Sequence, residues 1–150
     1  MNQLPVPPLP WRDHHLQLTL AGTVVTGLGL WLFLPPGFAH HLTASPWSLM
    51  GFLLVYPVIE EWLFRGLLQK ELLRLREFQR RHLGITGANG TTTIAFTLLH
   101  LVHQPFPWAL TVALPSLVLG HFRERYGNLR LPIALHILFN AIYLAAGLSA

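Results

Sequence analysis

The sequence predicts an all-α protein, a polytopic transmembrane helix bundle with about five membrane segments. Three observations favour this class. Of the 150 residues, 52% are hydrophobic and only 11% are charged, whereas soluble domains have about 25% charged residues. The mean hydropathy is +0.46. The apolar residues also gather into runs that end at prolines or at basic residues, as membrane helices do.

The segments follow one another along a single predicted domain, residues 1–150, whose motif-bearing core is residues 46–148. Residues 1–14 form an extended, proline-rich N-terminal segment without the basic start of a signal peptide. Segment one covers residues 16–34 and is long enough to span a bilayer. Segment two begins at Ser45-Pro46, is kinked by Pro57, and runs to residue 69 before continuing as an amphipathic basic stretch to residue 81.

The second half of the chain is predicted to hold shorter segments. Residues 84–90 form a loop, and segments three and four cover residues 91–103 and 108–122. These two are short for spans, so the sequence leaves open whether they cross fully or form a partly re-entrant hairpin. Segment five covers residues 132–148.

Charge placement predicts the topology and excludes some partners. Nine of the ten basic residues fall in the connections on one side of the predicted bundle, and the tenth, Arg65, lies within segment two. The positive-inside rule puts that side, with the N-terminus, in the cytoplasm and the C-terminus outside, in a membrane that we expect to be the prokaryotic cytoplasmic membrane. Residues 70–81 suit anionic lipid. No basic face for nucleic acid is indicated, and the lack of cysteine excludes disulfides.

Segment two contains three charged residues in an apolar setting, namely Glu60, Glu61 and Arg65. A charge at bilayer depth costs about 2.5–3.5 kcal/mol on insertion scales, so a cluster of three calls for a reason. Glu61 and Arg65 are spaced i, i+4 and are expected to pair on one helical face. Glu60 is turned away from that pair by about 100° and is left as a candidate general base.

Polar residues on other segments are expected at a similar depth. From the cytoplasmic side, helical rise places Glu60 at about 15 Å, His100 and Asn140 at about 14 Å and His136 at about 8 Å. Imidazole and amide groups can hold a water molecule or donate to an oxyanion. The matched depths therefore favour one shared intramembrane site. Phe96 precedes His100 by one turn and shares its face.

Three motifs in this region resemble those of the CAAX prenyl endopeptidase and bacteriocin-processing (CPBP, or Abi) family of intramembrane proteases. They are Glu60-Glu61-x-x-x-Arg65, Phe96-x-x-x-His100 and His136-x-x-x-Asn140. The resemblance covers residues 46–148, in a chain shorter than many members. It implies an endopeptidase that cleaves a membrane-associated peptide or protein tail.

The resemblance also implies a role for each motif residue. Glu60 would activate water and His100 would position it, while His136 and Asn140 would form the oxyanion hole. Glu61, Arg65 and Phe96 would give structural support.

Other interpretations stay open at this point. Glu60, His100 and His136 could form a two-histidine, one-carboxylate zinc site, although a metal-free mechanism is favoured because Asn140 is a poor zinc ligand. Intramembrane glutamate and histidine also occur in proton-coupled transporters, but the chain has no visible inverted repeat. A non-catalytic immunity or assembly factor that kept the fold is the third interpretation.

Overall fold

The computed structural model describes residues 10–33, 39, 43, 45–102 and 104–149 of the chain. A 3₁₀ turn at Pro10–Arg12 leads into helix α1, His14–Phe33. The carboxylate of Asp13 accepts a hydrogen bond from the backbone N–H of His15 at 3.0 Å, which satisfies one of the free donors at the start of α1. Most of the apolar side chains of α1 are exposed, as expected for a helix that faces lipid.

Helix α2, Pro46–Leu72, is continuous but contains two π-helical stretches. Gly51–Val55 and Trp62–Leu68 are π-helical, and the α-helical stretch Tyr56–Glu61 lies between them. Pro57 falls where the winding changes, because proline has no backbone N–H to donate. Such π-helical turns are frequent at functional sites, and the second one begins directly after Glu61.

The connection after α2 differs from the predicted continuous amphipathic stretch. The helix ends at Leu72, and a short helix α3, Arg76–Gln79, follows. Strands β1, Arg81–His82, and β2, Ile85–Thr86, then pair antiparallel, with Leu83 and Gly84 as the two-residue loop. The prediction of a loop over residues 84–90 is therefore also wrong. Helix α4, Gly87–His100, begins earlier than expected because the hydroxyl of Thr86 caps it, accepting from the N–H of Asn89 at 3.0 Å.

Three further helices complete the described chain. They are α5, Phe106–Thr111, α6, Ala113–Tyr126, and α7, Arg130–Ser149. Predicted segment four is thus two helices, broken at Val112. The end of predicted segment three, His103, lies outside the described residues. Gly127 ends α6 with a φ of +67°, the left-handed conformation that glycine adopts without strain.

The all-α prediction is confirmed, with one two-residue strand pair as the exception among the described residues. In this part of the chain three helices are long and apolar enough to cross a membrane: His14–Phe33, Pro46–Leu72 and Arg130–Leu148. Helix α4, with 14 residues, is shorter than a full span. The protein is an integral membrane protein.

The helices fall into two compact units. The first comprises residues 1–49 and 139–150, and the second comprises residues 50–138. In the first unit Gly27 lies against Ile142, and the N–H of Ala39 donates to the carbonyl of Gly147 at 3.2 Å. In the second unit α4 packs lengthwise on α6, where the side chain of Asn89 donates to the carbonyl of Leu117 at 2.9 Å. This second unit holds the candidate site.

Candidate active site

A buried ion pair lies on α2 within the predicted first motif. Nη1 of Arg65 donates to Oε1 of Glu61 at 3.0 Å, and both side chains are 0% exposed. This is the contact that the i, i+4 spacing predicts. Because each charge is removed from solvent, each depends on the other for compensation.

Arg65 is held from three further directions. Its Nη2 atom donates to the carbonyl of Ser116 at 3.1 Å and to the hydroxyl of Ser116 at 2.7 Å. The hydroxyl of Ser116 donates in turn to that of Thr93 at 3.0 Å. The guanidinium lies 4.7 Å from the centroid of the Phe96 ring, within cation–π range. Helices α2, α4 and α6 are thus joined through one side chain.

The aromatic ring of Phe96 packs against other side chains of the cluster. Its ring is 4.4 Å from that of His100 and 6.1 Å from that of His136, measured between centroids. The ring of Phe64 meets it edge to face at 5.1 Å. Phe96 therefore contacts both histidines and Arg65, and the supporting role that its motif implied stays a prediction.

His136 of α7 lies against both glutamates of α2. Its Nδ1 atom is 2.9 Å from Oε1 of Glu61, and its Nε2 atom is 3.6 Å from Oε2 of Glu60. A carboxylate accepts hydrogen bonds, so the contact with Glu61 places a proton on Nδ1 and leaves Nε2 directed at Glu60. The sequence favoured one shared site for Glu60 and His136, but it gave no sign that Glu61 holds the histidine.

His100 is oriented by its own helix. Its Nδ1 atom is 2.9 Å from the carbonyl oxygen of Phe96, one turn earlier in α4. A carbonyl can only accept, so Nδ1 carries the proton, and Nε2 of the neutral ring is an acceptor. His100 can therefore accept a hydrogen bond from a water molecule through Nε2.

The structure brings six of the seven predicted site residues into the second unit. Asn140 lies one helical turn after His136 in α7 but belongs to the first unit. Its part in the site therefore remains a prediction. Ser116 and Thr93 belong to the site's polar network and were missed, because an isolated hydroxyl residue in an apolar helix has no distinguishing spacing.

A second polar cluster supports the ends of α2 and α4 on α6. The carboxylate of Glu124 accepts from the side-chain amide of Gln69 at 2.9 Å, from the hydroxyl of Thr86 at 2.5 Å and from Arg81 at 3.2 Å. Next to it, Arg123 donates to the carbonyl of Arg65 at 3.3 Å. Burial lowers the pKa of the Arg123 guanidinium, and the charge of Glu124 opposes this effect. Glu124 thus fixes the helices that carry Glu60 and His100.

A zinc ion in a protein is held by three or four histidine, cysteine or carboxylate side chains. Both histidines have Nδ1 engaged and Nε2 directed elsewhere, an arrangement that also suits a metal ligand. Yet among the described residues no three histidine, aspartate or glutamate side chains are grouped closely enough to hold a metal ion. The zinc alternative of Glu60, His100 and His136 and the favoured metal-free mechanism both stay predictions.

Comparison with known protein families gives one result that bears on this site. A family model described as type II CAAX prenyl endopeptidase, Rce1-like, matches residues 42–142. That range includes every predicted site residue. Comparisons with curated proteins and with solved structures gave no match.

Proposed function

Because the chain belongs to the Rce1-like type II CAAX prenyl endopeptidase family, we propose that it is an intramembrane endopeptidase whose general base is Glu60. The family establishes a CAAX-type protease in general terms, and the roles of individual residues are our proposal. The observation that carries the proposal is the position of His136 between a buried glutamate and a partly exposed one. Its Nδ1 atom faces the buried Glu61 and its Nε2 atom faces the accessible Glu60.

The two glutamates differ in their access to water. The side chain of Glu61 is 0% exposed, whereas that of Glu60 is 26% exposed. Oε1 of Glu61 also accepts hydrogen bonds from both Arg65 and His136. A water molecule that is to be activated must reach the carboxylate, so Glu60 is the base and Glu61 is a positioning residue.

Charge balance supports one shared proton between Glu60 and His136. Glu61 and Arg65 compensate each other, and one proton carried either by Glu60 or by Nε2 of His136 makes the whole cluster neutral. In a low-dielectric setting a neutral cluster is strongly favoured over one with a net charge. When that proton is on His136, Glu60 is ionised and ready to accept another proton from water.

The proposed reaction proceeds in two steps. Glu60 removes a proton from water, and the oxygen attacks the carbonyl carbon of the scissile peptide bond to give a tetrahedral oxyanion. Protonated His136 donates to that oxyanion through Nε2 while Glu61 keeps Nδ1 occupied. Glu60 then gives its proton to the amide nitrogen, the C–N bond breaks, and the amine leaves.

Three further residues complete the proposed mechanism. Nε2 of His100 accepts a hydrogen bond from the attacking water and so orients its lone pair toward the carbonyl. Asn140 is proposed as the second oxyanion donor, since it follows His136 by one turn. The Phe96 ring, in contact with both histidines, excludes bulk water from their inner side.

The proposed substrate is a membrane-associated peptide or the tail of a membrane-associated protein. We propose that cleavage occurs in the cytoplasmic half of a prokaryotic cytoplasmic membrane, with the N-terminus of the enzyme in the cytoplasm. The observation behind this orientation is that the basic residues cluster at the ends of α2, α3 and α6.

The test is turnover of a cleavable membrane peptide by purified Glu60→Gln protein in proteoliposomes. We expect a loss of about 10²–10⁴-fold, the range for a general base. Glu77→Gln, an exposed site on α3, is the matched control and should keep full turnover. Retained turnover in Glu60→Gln would overturn the assignment. Ion flux that depends on Glu60, without cleavage, would instead favour a transporter.

A further inference from the structure

The hairpin between α3 and α4 presents one aliphatic side chain fully to its surroundings. Leu83, at the tip, is 103% exposed. The residues around it, Arg80, Arg81, His82 and Gly84, are exposed and none is apolar and large. Leu83 takes no part in the ion pairs or in the packing of the candidate site. Its exposed position therefore calls for another explanation.

The backbone at Leu83 is unfavourable for leucine. Its φ is +53°, and that of Gly84 is +83°. A two-residue hairpin loop with positive φ at both positions favours Asn-Gly or Gly-Gly, since a bulky side chain in the left-handed region clashes with its own backbone. Strained residues of this kind persist where the surroundings hold them and often where function requires them.

The hairpin is held firmly beneath its tip. The carboxylate of Glu124 binds Arg81 at 3.2 Å and Thr86 at 2.5 Å, one residue in each strand. The N–H of Gly87 donates to the carbonyl of Arg80 at 3.0 Å, which closes the base of the hairpin. Leu83 is thus displayed on a fixed support.

The net positive charge near the hairpin is complementary to an anionic surface. Residues 70–86 contain five basic and two acidic side chains. The same connection leaves α2 at Leu72, the last residue of a candidate membrane span, so the hairpin follows shortly after the end of that span. A single leucine offers too little apolar area to hold a protein partner, whereas aliphatic side chains beside arginine insert into the headgroup region of a nearby leaflet.

We propose that the hairpin is an interfacial anchor, in which Leu83 inserts into an anionic leaflet while Arg80 and Arg76 bind lipid phosphates. The occupant is the bilayer that already surrounds the protein. This inference does not depend on the proposed catalytic roles. It proposes that the strained, exposed Leu83 contacts lipid, a contact that the folded protein alone does not supply.

The absence of cysteine from the chain permits a direct test. Leu83→Cys and the control Glu77→Cys are labelled with an environment-sensitive fluorophore and reconstituted into phosphatidylcholine vesicles with or without phosphatidylglycerol. We expect the label at position 83 to shift to shorter emission wavelength and to be quenched by lipids spin-labelled near the headgroup. The shift should grow with phosphatidylglycerol, and both effects should be clearly smaller for the label at position 77, which lies on α3 and not at the hairpin tip.

A second variant separates anchoring from backbone geometry. Leu83→Gly removes the strain at positive φ, so the folded protein should be as stable as before or more so. A label on His82→Cys should nevertheless lose its lipid quenching when Leu83→Gly is added. Equal quenching with leucine and glycine at position 83, or equal behaviour of the labels at positions 83 and 77, would overturn the proposal.

Discussion

Nδ1 of His136 lies 2.9 Å from Oε1 of Glu61, although the two residues are 75 positions apart in the sequence. The same oxygen accepts from Nη1 of Arg65 at 3.0 Å. One buried carboxylate oxygen therefore holds both a cation of its own helix and an imidazole of α7. Glu61, expected to act only as the partner of Arg65, also fixes the orientation of His136 toward Glu60.

Replacing Glu61 is expected to destabilise the protein strongly. Glu61→Gln leaves the 0% exposed Arg65 without its counter-ion. Loss of one partner from a buried pair costs about 3–5 kcal/mol. Thermal unfolding in detergent should show a clear drop in Tm.

Glu71→Gln is the matched control for that variant. It removes a glutamate of the same helix that pairs with Arg74, but this pair is 66% and 54% exposed. An exposed pair contributes at most about 1 kcal/mol. Similar unfolding temperatures for the two variants would contradict the buried pair as the main stabilising contact.

Close packing of α4 on α6 predicts a second effect on stability. A Cβ at Gly120 would collide with the side-chain amide of Asn89, which is itself bonded to the carbonyl of Leu117. Gly120→Ala should therefore destabilise by about 1–3 kcal/mol, as overpacking does.

Gly90→Ala provides the comparison for Gly120→Ala. Gly90 lies in α4, and a Cβ there would meet nothing within 4 Å. Alanine should be neutral or stabilise by about 0.5–1 kcal/mol, since it raises helix propensity. The stability of each of the two variants is measured from the midpoint of chemical or thermal unfolding. A gain in stability in Gly120→Ala would contradict the described packing.

The sequence was informative where contacts are local to one helix. The Glu61–Arg65 pair follows from i, i+4 spacing, and the apolar runs located α1, α2 and α7 to within a few residues. Contacts between helices were not predictable in the same way. The position of His136 depends on how α7 packs against α2, and Ser116 contacts Arg65 across 51 positions. No periodicity within either segment carries that information.

The hairpin was missed for a related reason. The basic residues between Lys70 and Arg81 suit an amphipathic helix, so the stretch was predicted as one. The structure instead breaks the helix after Leu72 and folds β1 against β2, with Glu124 of α6 binding both strands. A tertiary contact has thus overridden local propensity.

His100 is expected to affect turnover more than stability. Its contacts in the second unit are local, with Nδ1 on the carbonyl of Phe96 and the ring against that of Phe96. Since Nε2 is the proposed water acceptor, His100→Ala should lower kcat by about 10²–10⁴-fold. His14→Ala, an exposed histidine at the start of α1, should leave kcat unchanged. A fall in Tm with unchanged kcat would assign His100 a structural role instead.

Chelation separates the proposed glutamate mechanism from zinc chemistry. The described residues offer no group of three ligating side chains for a metal ion, and in the proposed mechanism Glu60 alone takes the proton from water and passes it to the amide nitrogen. Peptide cleavage should therefore persist after exhaustive treatment with a strong chelator, and metal analysis of the active protein should find less than one equivalent of zinc. Loss of cleavage on chelation with recovery on adding zinc would contradict this expectation. In that case Glu60, His100 and His136 would be reassigned from proton transfer to metal binding, and Glu60→Gln would lose zinc together with turnover.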